Sequence, residues 1–143
     1  MELSAGRIVA ILTIGAVAPF LWVATQNRWS LYVYMPALKW LWAVFALKGQ
    51  WLAFISNLLH SIVVAAALAV ALQLVTRRAW VRASALFCAA FVLASLASIV
   101  ASDQLTRQDG LGIAFYFVNA APLLACVAGF LGLLARIPTP HEA

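Results

Sequence analysis

Four stretches of this chain run for eighteen residues or more without a charged side chain: Ile8 to Thr25, Gly49 to Thr76, Ala83 to Ser102 and Gly110 to Ala135. At 1.5 Å of rise per residue even the shortest covers about 27 Å as a helix, close to the roughly 30 Å hydrocarbon core of a bilayer. Runs this long are helical solutions to the problem of satisfying backbone groups in lipid. The expected fold class is therefore all-α and integral to a membrane. We expect a four-transmembrane-helix bundle forming one membrane domain over 1–143, with spans near 8–25, 51–75, 83–102 and 111–135. Pro19 and Pro122 fall inside runs and are expected to kink or loosen their helices.

Composition closes off the soluble alternatives. With 66% hydrophobic and 9% charged residues, and a mean hydropathy of +1.03, there is too little charge to coat a globule; soluble domains run near one quarter charged. A water-soluble enzyme, a nucleic-acid module and a disordered tail are excluded together. The net charge of +5 comes from Lys and Arg beside apolar runs, where they set orientation and meet phospholipid. Acids are confined to Glu2, Asp103, Asp109 and Glu142, so the first three spans hold no carboxylate for proton or sodium coupling. Cys88 and Cys126 form no Cys-x-x-Cys pair and read as small packing residues. The first run ends in bulky Phe20, Leu21 and Trp22 and reads as an uncleaved anchor instead of a signal peptide.

Residues 26–48 are apolar and aromatic yet cannot span, since Trp40 to Leu47 gives only about 12 Å of helix. Lys39 and Lys48 lie nine positions apart and point in opposite directions at 100° per residue, so an interfacial or re-entrant segment with a Lys snorkelling from each end is favoured. Trp29 to Met35 reads as extended and Pro36 as a permitted helix start. The aromatics crowd here: Trp29, Tyr32, Tyr34, Trp40, Trp42 and Trp51 suggest either a headgroup-level belt or an interfacial docking surface. Residues 136–143 form a short tail.

Orientation rests on basic residues in short connections. Arg7, Arg77, Arg78, Arg82 and Arg136 fall on one side, and Arg28, Lys39, Lys48 and Arg107 on the other. The tight basic turn from Arg77 to Arg82 places both termini in the cytoplasm, and the abundance of Arg and Ala associates with a bacterial inner membrane. So even a balance also fits an antiparallel homodimer.

Few residues offer chemistry. Within lipid, helices associate through small residues four apart and through interhelical hydrogen bonds. Asn57, Ser61, Ala65, Ala69 and Gln73 form such a stripe with polar ends; Ala90, Ala94, Ser98 and Ser102, and Ala121, Ala125 and Gly129, form weaker ones. His60 reads as an interhelical hydrogen-bonding residue, with a haem or quinone contact as the sharper alternative. Asn119, three residues before Pro122, reads as capping the carbonyl that the proline frees, or as lining a polar path with Asn57 and His60. Asp109 before Gly110 reads as a helix cap.

Small multidrug exporters rely on a glutamate in their first helix, and four-helix disulfide and quinone oxidoreductases on cysteine pairs. Both features are missing from this chain. The expectation is a non-catalytic accessory, assembly or scaffold subunit of a membrane complex, not an enzyme. Its partners would be membrane lipids and other subunits or a second copy, with no nucleic acid, no metal and no cofactor. A small oligomeric transporter or lipid- or isoprenoid-flipping protein is the alternative, and a haem- or quinone-binding redox subunit a third.

Overall fold

A computed structural model describes residues 3–29, 36, 39, 49–76, 79–101 and 110–137. It is all-helical among the described residues, with no strand. The four long helices are α1 (Ala5–Trp29), α2 (Gly49–Thr76), α3 (Trp80–Ala101) and α4 (Gly110–Leu134), and each is long and apolar enough to cross a membrane. α2 and α4 follow their uncharged runs, whereas α1 extends past its run at both ends and α3 begins before its own, because a lone Arg can enter a terminal turn when its stem lies along the helix and its charge reaches the headgroups. Arg7, Arg28 and Arg82 are all inside helices.

Two local readings change. Trp29 is the last residue of α1 and not the start of an extended strand; no proline or glycine interrupts the chain between Pro19 and Trp29, so the helix continues. Trp80 to Arg82 begin α3 and do not belong to a turn. The connection is tight, with the Ala79 amide donating to the Thr76 carbonyl at 3.2 Å. α1 continues through Pro19 and α4 through Pro122. The remainder of the interfacial segment, including Tyr32, Tyr34, Trp40 and Trp42, lies outside the described residues, as do Asp109 and the end of the tail.

The helices that pack most extensively are not sequence neighbours. α1 packs most extensively along α3, and α2 along α4; α1 meets α2 and α3 meets α4 over smaller areas. The α1–α3 contact is the closest. A Cβ added at Gly15 would lie 2.8 Å from both the Ala90 Cβ and the Phe87 carbonyl oxygen, so the missing side chain lets two backbones meet. The core gathers Ile11, Ala18 and Trp22 from α1 with Phe87 and Phe91 from α3. From the other pair come Ala65, Leu68, Ala69 and Leu72 of α2 and Ala120, Leu123, Val127 and Leu131 of α4. Trp80 at the start of α3 touches Gly132 near the end of α4, which makes that pair antiparallel.

The small-residue stripes fare differently. In α2, Asn57, Ser61, Ala65 and Ala69 are buried and Gln73 is half-buried. In α3 the buried face is Ala83, Ser84, Phe87, Ala90, Phe91 and Ser95, so Ala94 and Ser98 sit at its edge. In α4 the expected stripe is turned outward: Ala121, Ala125 and Gly129 are exposed.

Candidate intramembrane polar layer

The last turns of α1 and α3 and the first turns of α2 and α4 lie at one end of the molecule, and there the polar side chains meet. Gln26 Nε2 donates to Asn57 Oδ1 at 2.7 Å. Asn57 Nδ2 donates onward to Asn119 Oδ1 at 3.0 Å, with the Asn119 carbonyl at 3.4 Å. One carboxamide thus joins three helices in a directed chain. Asn57 can do this because it carries donor and acceptor on one short side chain, and its residue is only 6% exposed.

One turn inward, His60 is fully buried. Its Nε2 lies 3.1 Å from Thr25 Oγ1 and 3.3 Å from the Trp22 carbonyl. These partners assign the tautomer. The carbonyl can only accept, and the Thr25 hydroxyl gives its own proton to the Leu21 carbonyl at 2.7 Å, so Nε2 carries the hydrogen and donates to both. The ring is oriented further by the edge of Trp29, with centroids 6.1 Å apart. Ligation of a haem iron through Nε2 would have to break both contacts.

A second contact spans α3 and α4. Ser95 Oγ donates to the Phe91 carbonyl at 2.8 Å, which leaves it as acceptor for the Tyr116 hydroxyl at 3.1 Å. The Tyr116 ring meets the edge of Trp22 at 5.8 Å between centroids. Two buried atoms of this region, Trp22 Nε1 and Ser61 Oγ, have no hydrogen-bond partner.

The structure therefore brings Asn57 and Asn119 into direct contact and holds His60 one turn away. Asn119 accepts from Asn57 across the α2–α4 interface, three residues before Pro122. Gln26, Thr25, Trp22, Tyr116 and Ser95 were missed in the sequence. The spacing Trp22-x-x-Thr25-Gln26 at the end of an apolar run was the available signal, since positions three and four apart share a helix face. Of the aromatic docking candidates within the described residues, Trp29 is 44% and Trp51 58% exposed, and Trp51 stacks edge-on with Phe54. Among the described residues no group of three His, Cys, Asp or Glu side chains could hold a metal ion.

Among the described residues the chain is all-helical, with four helices of membrane-spanning length and composition, compatible with a multi-pass membrane protein. Comparison with protein families, with curated proteins and with solved structures finds no match.

Proposed function

We propose that this protein is a non-catalytic accessory or assembly subunit of a membrane complex, a bundle of four spans held together by the polar layer. The observation that carries this reading is how the interior polarity is used. Gln26, Asn57 and Asn119 bond to one another, and His60 is spent on α1, so these groups knit helices together. Outward, only 28% to 33% of each span is fully buried within the chain, and every helix keeps exposed residues for lipid or another subunit. The outward run of Ala121, Ala125 and Gly129 supports a helix partner, because small residues allow a neighbouring backbone to approach; a Cβ at Gly129 would meet nothing within 4 Å. In this role the exposed Trp29 and Trp51 add lateral contact at the headgroup level. On this reading both termini are cytoplasmic, in a bacterial inner membrane.

The test is purification from native membranes in mild detergent. A second membrane protein in fixed stoichiometry, lost when Ala125 and Gly129 are replaced by Leu while the fold persists, is the expected result. Recovery of this chain alone, unaffected by those replacements, contradicts it.

A second reading, a small oligomeric transporter or lipid-flipping protein, is favoured by one observation. Trp22 Nε1 and Ser61 Oγ are buried beside the polar layer without partners, in the manner of groups that hold ordered water. Uptake by reconstituted vesicles that disappears with Asn57→Leu in a folded variant would favour it over the accessory role.

A further inference from the structure

The contacts between helices fix the depth of their charged ends. Gly15 of α1 meets Phe87 and Ala90 of α3. Further along α1, Trp22 meets the Tyr116 ring, whose hydroxyl reaches Ser95 of α3, so α1 and α3 run parallel and in step. Arg7 lies eight residues before Gly15 and Arg82 eight before Ala90, about 12 Å of helix in each case. The two arginines therefore stand at one depth. In the antiparallel α4, Gly132 meets Trp80 and Arg136 follows a turn later, at the end where α2 closes with Gln73 and Thr76. The Ala79 amide donates to the Thr76 carbonyl, and by sequence Arg77 and Arg78 are the two residues between them. Five arginines thus belong to the Gln73–Thr76 end, whereas both lysines, Lys39 and Lys48, fall by sequence at the other. Arg82 and Arg136 are exposed and Arg7 is half-buried. None of the described residues is an Asp or Glu, and by sequence the acids adjoining this end are Glu2 and Glu142.

We propose that this arginine end is a binding surface for anionic phospholipids, which gather around the starts of α1 and α3 in preference to zwitterionic ones. An arginine in the terminal turn of a span lays its stem along the helix and brings its guanidinium to the headgroups. It keeps its charge there and forks onto two phosphate oxygens. Five such charges at one end of a narrow bundle repel one another. A headgroup with net negative charge offsets that repulsion, whereas a choline headgroup brings a cation of its own. Each arginine near an anionic surface strengthens binding about fivefold. The inference is independent of the accessory-subunit reading and of orientation, since it holds in whichever leaflet this end lies; it narrows lipid contact to one headgroup class at one end of the molecule.

The experiment uses the full-length chain, with Cys88 and Cys126 replaced by Ala, in vesicles of mixed phosphatidylglycerol and phosphatidylcholine. Val81→Cys, at a position 62% exposed, carries a fluorophore at the arginine end. A second preparation carries it on Val23→Cys, at a position 44% exposed near the polar layer. Bromine on the acyl chains of one lipid or the other quenches the fluorophore on contact, and the two quenching curves give the relative affinity for the lipids at each label. At Val81 the expected ratio favours phosphatidylglycerol at least about fivefold. Combining Arg7→Gln with Arg82→Gln is expected to bring it to within about twofold of one. In the chain with all its arginines, 1 M salt, which shortens the Debye length to about 3 Å, is expected to lower it as well. An unchanged ratio at Val23 in the double variant shows that the bundle is intact; where that ratio moves too, the salt series decides alone. A Val81 ratio near one in the chain with all its arginines overturns the proposal, as does a preference indifferent to salt or one that survives the double replacement in an intact bundle.

Discussion

Of Gly6, Gly15, Gly129 and Gly132, Gly15 has the least room. A methyl group there would press against the Phe87 carbonyl and the Ala90 Cβ at 2.8 Å, and neither neighbour is the flexible end of a long side chain. Gly15→Ala should therefore force α1 from α3 and cost about 1–3 kcal/mol, the range for overpacking a well-filled contact. Gly129→Ala, with open space around its Cα, should stay within about 0.5 kcal/mol. Unfolding in detergent, followed by circular dichroism, compares the two; equal behaviour would mean that α1 and α3 do not meet at this point.

Asn57 invites a different test because its bonds run in series. Asn57→Leu strands the Gln26 amide and the Asn119 oxygen together and should cost about 1–3 kcal/mol, whereas Asn57→Leu combined with Asn119→Leu leaves less unmet. The coupling from that double-mutant cycle should fall between about 0.6 and 1.7 kcal/mol, the range for interhelical hydrogen bonds inside membrane proteins. Independent, additive costs would show that the 3.0 Å contact carries no weight.

The existence and length of the helices were readable because uncharged runs of membrane length have one common solution. Which faces meet was harder to read. In α3 the row Ala90, Ala94 and Ser98 was a rational choice on size alone, yet Phe87 and Phe91 take the centre of the face, since Gly15 on the partner makes room for the α3 backbone and the rings fill the space beyond. In α4 the row of smallest residues is the outward one. Hydropathy cannot separate these faces, because a lipid-facing side and a core-facing side are both apolar. The polar layer was half legible for the same reason: Asn57, His60 and Asn119 stand out against apolar neighbours, but that Gln26 and Thr25 would complete them depends on the register between α1 and α2. The α3 face yields its own prediction. Phe87→Ala should cost about 3–5 kcal/mol as a buried aromatic truncation. Leu93→Ala, 67% exposed, should change little when measured in the same way.

At the scale of the whole molecule, charge and fold combine. The alternating course of the helices puts the starts of α1 and α3 and the end of α4 together, so Arg7, Arg82 and Arg136 share one end while Arg28 lies at the other. By sequence, Arg77 and Arg78 join the first group, and Lys39, Lys48 and Arg107 the second. The orientation proposed above rests on Arg77, Arg78 and Arg82, because basic residues close together in sequence beside a span resist translocation. Replacing Arg77 and Arg78 with Gln leaves Arg7, Arg82 and Arg136 against Arg28, Lys39, Lys48 and Arg107. The chain should then insert both ways round. A fluorescent protein that matures only in the cytoplasm and a phosphatase active only outside it, each fused in turn to the C-terminus, report this directly. The unaltered chain should give fluorescence without phosphatase activity, and the replaced one should give both. Phosphatase activity in the unaltered chain would place the polar layer at the cytoplasmic face and the Gln73–Thr76 end outside.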